Sequence, residues 1–300
     1  MISIASLWIP FVVLASLGQV ARNAMQRELT ASLGMVGATH VRFLFGFPFA
    51  VLFFAVVMLA ARESVAWPSL AFWLWLVVGT MTQIVATGLM LAAMNERSFV
   101  VTTAYIKTEP IQAALFGFVF LGDHLTLWKL LAIVVATAGV VITAIRPAGD
   151  KGFGDLRPTV LGLAAAAGFA LSAVGYRGAI LNVPGVSFVT AASFTLVLGL
   201  MLQTLLLTGY LLLRDRKTLV ALFRLWRPSM LAGFMGAAAS QFWFLAFALT
   251  SVANVRTLAL IEVLFAQGIA YYSLKQKISA REALGIALIV IGVGALIAVQ

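Results

Sequence analysis

Five charged side chains stand inside stretches of sequence that are otherwise apolar: Arg42, Lys107, Glu109, Arg256 and Glu262. A charge held in such surroundings costs on the order of 3 kcal/mol on insertion scales, so each needs a counter-charge, a wet cavity or a task. The two glutamates have two readings. Either can contact a substrate or carry a coupled proton, because burial disfavours the charged form of an acid; equally, either can belong to a fixed ion pair that packs two helices. Lys107 and Arg256 divide the same way. They can hold an anionic or zwitterionic solute in a low-dielectric cavity, or pair with a nearby glutamate, or snorkel to an interface. Arg42 reads as structural, fixing its helix through hydrogen bonds to carbonyls or an acid.

Uncharged polar and aromatic residues extend this set. At 3.6 residues per turn Thr102, Tyr105, Glu109, Gln112 and Phe116 form one stripe, which should face protein or water rather than lipid. Gln83 and Gln241 are each able to hydrogen-bond a solute or to bridge helices. Trp243, with Trp75, Tyr105 and Tyr271, is a candidate to line a cavity and stack on a ligand, although most tryptophans of membrane proteins belong to interfacial belts or packing. Asp123-His124 is one acid beside one histidine, and His40 stands alone, so neither makes a metal site or a catalytic triad.

The stretches that carry these residues are long. The chain has 300 residues, 63% hydrophobic and 10% charged, against about 45–50% apolar and about 25% charged in soluble domains. At roughly 20 apolar residues per spanning helix, plus connections, the length suits about ten spans and no separate soluble domain. The net charge of +10 does not signal nucleic acid, because the basic residues lie singly or in short groups between apolar runs. The absence of cysteine excludes disulfides, thiolate catalysis and Cys-ligated metals. No basic residue precedes the first apolar run, so residues 1–21 read as an uncleaved helix rather than a signal peptide.

Breaks at charged and Pro/Gly-rich positions place ten spans near 3–25, 34–61, 68–93, 98–121, 125–146, 157–180, 186–213, 228–250, 252–274 and 279–299. The one hydrophilic linker, 148–158, divides the chain into 1–147 and 159–300, five spans each. Residues 102–147 laid over 255–300 at a constant offset of 153 put Glu109 on Glu262, Ala113 on Ala266, Leu121 on Leu274, Leu131 on Leu284, Ile133 on Ile286 and Gly139 on Gly292. Five spans is an odd number, so a second copy enters the membrane inverted. The expected fold is therefore an all-α integral membrane protein of two inverted five-helix repeats, with a substrate site near the midplane. Recurrent small residues at four-residue spacing, Ala113/Gly117, Ala164/Gly168/Ser172 and Ala266/Ala270, read as close helix packing.

Tyr105-Ile106-Lys107-Thr108-Glu109-Pro110-Ile111-Gln112, then Leu121-Gly122-Asp123-His124 and Ala138-Gly139-Val140, resemble the ten-helix EamA-type members of the drug/metabolite transporter superfamily. Arg42-Phe43-Leu44 and Ala248-Leu249 are similar too. The second half departs at Val263, where the first has Pro110, and at Lys275-Gln276-Lys277, where the first has its Gly-acidic pair. The resemblance implies a secondary carrier of the bacterial inner membrane, commonly an exporter of amino acids, related metabolites or drugs, with a drug or organic-cation efflux carrier as an alternative reading. It implies no ATP site or other cofactor; the partners would be a small solute, lipid, and a proton or counter-substrate, with monomer or dimer left open. Small multidrug members of the superfamily use a glutamate in their first helix. Here that span carries Gln19, Arg22 and Asn23 and no acid before Glu28, which argues against cationic-drug export by that route.

Two rival functions are an interfacial transferase and a channel. The ten acids are scattered rather than clustered as in an enzyme site, and no ring-forming selectivity segment is visible. For orientation, Lys and Arg concentrate in the odd-numbered connections (Arg22, Arg27, Arg97, Arg146, Lys151, Arg157, Arg214, Arg216, Lys217, Arg224, Arg227, Lys275, Lys277, Arg281), against Arg62, Lys129 and Arg177 in the even ones. By the positive-inside rule both termini would be outside, whereas ten-helix relatives are generally drawn with both termini in the cytoplasm.

Overall fold

The computed structural model describes residues 4–96, 102, 105–144, 156–265, 267–268 and 279–299. Most of the expected linker, Ala266, Ala270, Tyr271, Leu274, the Lys275-Gln276-Lys277 run and part of the expected ninth span lie outside the described residues. Most of those described are helical, with no strand among them. The helices are α1 (Trp8–Leu44), α2 (Phe47–Ala61), α3 (Leu70–Glu96), α4 (Glu109–Leu121), α5 (Leu127–Ala144), α6 (Leu156–Leu181), α7 (Phe188–Arg214), α8 (Arg216–Arg224), α9 (Trp226–Leu249), α10 (Val252–Leu258) and α11 (Ala280–Ala298). Among the described residues six helices are long and apolar enough to cross a membrane: Ser32–Ala61, Leu70–Met94, Arg157–Leu181, Phe188–Arg214, Trp226–Leu249 and Ala280–Ala298. Trp8–Arg22, Glu109–Leu121 and Leu127–Thr143 are shorter apolar helices.

The boundaries differ from the expected spans in several places. The loop expected between the first two spans is helical, and Leu29 and Leu33 within it join the core. The change of direction comes instead at Gly34, whose φ of 64° a residue without a Cβ adopts freely. The expected fourth span is interrupted at Lys107-Thr108. The connection expected at 214–227 holds the nine-residue helix α8.

The chain forms two compact units, Met1–Thr80 with Gly175–Leu249, and Met81–Val174 with Thr250–Gln300. Each draws on both halves of the sequence, so compactness follows a different division from the one at the linker. In the first unit α9 packs along α1 through small residues. A Cβ at Gly233 would lie 2.5 Å from the Phe45 carbonyl carbon, and one at Gly18 would lie 3.2 Å from Ala239 Cβ. In lipid, where apolar surface gains little by leaving the acyl chains, such close approach is a main source of helix association.

In the second unit α5 packs on α11, and the contact is reciprocal. A Cβ on Gly139 would lie 2.6 Å from Gly285 O and 2.8 Å from Ile289 N; one on Gly292 would lie 2.8 Å from Ala132 O and 2.5 Å from Ala136 N. Subtracting 153 turns Gly292 into Gly139, Gly285 into Ala132 and Ile289 into Ala136. The two contacts are thus one contact seen from either side, as at a two-fold interface. Positions rise along α5 as their partners fall along α11, so these helices run antiparallel. Large apolar side chains that stay exposed, such as Leu52, Val56 and Leu59 on α2 and Val290 and Ile291 on α11, are what a helix facing acyl chains presents.

At one end of the first unit the Glu63 carboxylate caps α7. Both its oxygens accept the Ser187 N–H at 3.1 Å, and one also accepts the Ser187 hydroxyl at 3.0 Å. The Thr190 hydroxyl and then the Ser187 N–H hold Glu63 below the ordinary carboxylate value of 4.5. A depressed acid contributes stability that is complete above its unfolded value and is lost as pH falls through its folded one. Glu63→Gln is therefore expected to lower Tm modestly at pH 7, with the difference from wild type shrinking steadily below about pH 4.5; a constant difference across that range contradicts the assignment.

Candidate functional site

The sequence between Tyr105 and Gln112 explains its own shape. Pro110 has no N–H to offer, and its ring crowds the carbonyl four residues earlier, so a helix cannot run through it undisturbed. The helical turn at Tyr105-Ile106 stops, Lys107-Thr108 form a turn, and α4 starts afresh at Glu109 with proline in its first turn. Thr108 stitches the break: its N–H donates to Tyr105 O at 3.1 Å and its hydroxyl to the same oxygen at 2.7 Å. Tyr105 is buried, its hydroxyl 2.8 Å from Thr159 Oγ1 on α6. Gly162, one turn on, makes room for it, since a Cβ there would lie 2.7 Å from Tyr105 Cβ. Gln112 Nε2 donates to Thr108 Oγ1 at 3.3 Å and stands at the 3.5 Å limit from Leu163 O.

The other side of the site is built by α10 and the turn at its C-terminal end. Ser251 caps α10, its hydroxyl accepting Asn254 N–H at 3.4 Å. After Leu258 the chain tightens into a 3-10 turn, Ala259–Ile261, before Glu262. This interruption sits 153 residues after Ile106-Lys107-Thr108, although Val263 stands where the first half has proline. Both glutamates thus come directly after a break in their helix.

These segments exchange charges. Arg256 Nε lies 2.9 Å from Glu109 Oε1, and the Lys107 ammonium contacts the Glu262 carboxylate. The four side chains are 11–19% exposed, so the pairs are largely withdrawn from solvent without being sealed. Each acid is neutralised by the base of the opposite segment, and the quartet has no net charge. The Arg256–Glu109 approach is a charge contact out of line for a hydrogen bond, weaker than a bidentate fork. Glu109 also occupies the first turn of α4, where the partial positive charge of a helix N-terminus favours a carboxylate. Such an arrangement can hold two segments together, and a solute bearing a carboxylate and an ammonium can compete for the same partners.

The second unit thus brings together Lys107, Glu109, Arg256 and Glu262, with Tyr105 and Gln112 on the Glu109 segment. It also contains Gln83, part-buried on α3. Gln241, Trp243, Arg42 and His40 fall in the first unit. Gln241 Nε2 donates to Ser193 Oγ at 2.8 Å. Trp243 is buried and stacks on Phe247 at 6.5 Å between centroids. Arg42 reaches Ser240 Oγ at 3.4 Å and lies 5.4 Å from the Phe43 ring centroid. His40 is a buried histidine with a partner, Thr208 Oγ1 at 2.9 Å. Among the described residues no group of His, Asp and Glu could hold a metal ion. Sequence reasoning misses Thr108, Thr159 and Gly162, which shape the Glu109 segment, and the buried pair of Gln203 with the Tyr176 hydroxyl at 3.0 Å. Gln203, a lone amide in an apolar span, is the signal for the last.

Among solved structures, a crystal structure aligns with 99% of this chain and 99% of its own at a TM-score of 0.73, with 16% sequence identity. That likeness concerns the fold. None of the curated proteins matches the chain in sequence. Residues 6–145 match the EamA-like transporter family, whose members are transporters rather than enzymes. The matched residues include the Lys107-Thr108-Glu109-Pro110 break and run through α5. Over those residues this multi-pass membrane protein is similar to the EamA-like transporters of the drug/metabolite transporter superfamily.

Proposed function

We propose that the chain is a secondary-active carrier that exports a small zwitterionic or related organic solute across the inner membrane by alternating access, and that Lys107, Glu109, Arg256 and Glu262 are its substrate or coupling residues. The observation that carries this reading is the reciprocal charge quartet at two helix breaks. Discontinuous helices at a repeat interface are where secondary transporters bind substrate and coupling ions, because freed backbone groups and helix ends become available there. A pair as close but out of line as Arg256–Glu109 can exchange partners at lower cost than a buried fork. Tyr105 and Gln112 orient the Glu109 segment, and Gln83, Gln241 and Trp243 are further solute contacts in this proposal.

Two inverted repeats of five spans, 1–147 and 159–300, belong to the same proposal. Its support is the offset of 153 residues, which relates the two breaks, the two glutamates and the two sides of the antiparallel α5–α11 contact. A ligand that binds only the folded protein must raise its stability by an amount set by its concentration over Kd. Thermal denaturation of purified protein against amino acids, nucleosides, organic anions and organic cations is expected to show a saturable rise with an amino acid or similar zwitterion. Stabilisation by organic cations alone would favour the drug-efflux alternative. Conversion of a lipid-linked donor by the purified protein would favour the transferase.

A further inference from the structure

Helix α8 is not accounted for by carrying a solute. It joins α7, which ends at Arg214, to α9, which begins at Trp226, and so lies at a membrane end of two spans. Nine residues at 1.5 Å each make about 13 Å, a length suited to bridging neighbouring helix ends rather than entering the bilayer. Asp215 breaks the path from α7, with backbone angles outside the helical region, and caps α8. Its carboxylate accepts the Thr218 N–H at 3.1 Å and the Thr218 hydroxyl at 2.6 Å. The one acid of this connection is thereby used within the chain.

The two faces of α8 differ sharply. Leu222 is fully buried in a cluster with Leu29, Leu33, Val41, Phe45, Leu211 and Ala232, and Leu219 packs beside it. Successive residues turn by 100°, so Arg216, Lys217, Val220, Phe223 and Arg224 occupy the opposite face, and all five are exposed. Arg214 and Arg227, also exposed, flank the helix, and the Arg227 guanidinium lies 5.6 Å from the half-exposed Trp226 ring. Arg216 keeps one nitrogen on Leu212 O at 2.8 Å, which fixes its root at the end of α7.

We propose that this outer face of α8 is a binding surface for anionic phospholipid headgroups. Five cations and one internally used acid within residues 214–227 give the charge complementarity. Val220, Phe223 and Trp226 interleave with them, which is the pattern of an interfacial helix whose apolar side chains enter the acyl boundary while its bases meet phosphate. A soluble phosphate ester matches the charges but leaves the exposed rings and valine in water. A bilayer surface matches both.

The test uses the full chain in neutral detergent, titrated with phosphatidylglycerol, phosphatidylcholine or soluble glycerol 3-phosphate, with Tm as readout. Phosphatidylglycerol is expected to raise Tm by several degrees beyond phosphatidylcholine, and glycerol 3-phosphate to have no effect. About 1 M NaCl, where the screening length falls to about 3 Å, should abolish the difference in the wild type. The triple variant R216Q/K217Q/R224Q leaves Leu219 and Leu222 in place, and should keep the phosphatidylcholine baseline and lose the phosphatidylglycerol gain. Equal response to the two lipids, a gain that survives high salt, a gain retained by the triple variant, or equal stabilisation by glycerol 3-phosphate would each overturn the proposal. The wild-type salt series decides the matter even if the variant does not fold.

Discussion

Glu109→Gln is expected to reduce transport at least tenfold and to destabilise the protein, and Arg256→Gln to do both as well. Each single change leaves the partner charge, in a side chain about 15% exposed, without its counter-ion. Breaking a buried pair from one side costs about 3–5 kcal/mol, and residual exposure places this case near the lower end. The double variant E109Q/R256Q removes both charges and keeps the shapes. It should recover most of the stability and none of the transport, because a neutral amide pair packs but cannot exchange charges with a solute. Thermal denaturation and solute flux measured on the same three preparations check this. A double variant that transports at the wild-type rate would make the pair purely structural.

A second large effect is expected where backbones touch. Gly139→Leu or Gly292→Leu places side-chain atoms against the backbone of the opposing helix, which cannot rotate away. Overpacking in a tight interior typically costs about 1–3 kcal/mol and can cost more. Little monodisperse protein should be recovered from either variant, and the two should resemble each other because their surroundings are reciprocal. Gly294 on the same α11 has open space around it, with no atom within 4 Å of where a Cβ would stand. Gly294→Ala is therefore expected to be neutral, or stabilising by up to about 1 kcal/mol through helix propensity. Size-exclusion profiles and Tm of the three variants are the measurement, and a well-behaved Gly139→Leu protein would contradict the close α5–α11 contact.

The features legible in the sequence are those with a single physical cause. Apolar stretches bounded by charge reveal membrane helices because lipid tolerates little else, and Pro110 beside Glu109 marks a segment that the structure shows interrupted. Gly139 and Gly292 stand out at equal offset, and both prove to be contact points. The partner of each charge is not legible. Glu109 has Lys107 two residues away in sequence, yet its ion pair is with Arg256, and only the fold brings that residue near. The break before Glu262 is hidden as well, because without a proline nothing local announces a 3-10 turn. Helix α8 reads as a mere connection for a similar reason: nine residues of mixed charged and apolar type lack the length by which spans are recognised.

Counterflow in proteoliposomes tests the transport claim most directly. Vesicles preloaded with an excess of the amino acid or related zwitterion that raises Tm should transiently accumulate the labelled solute from outside, with saturable kinetics and without chemical change to the label. The same vesicles carrying E109Q/R256Q should show none. Accumulation that fails to occur with a ligand shown to bind, or a linear and non-saturating leak equal in both proteins, would contradict a carrier built around these four charges.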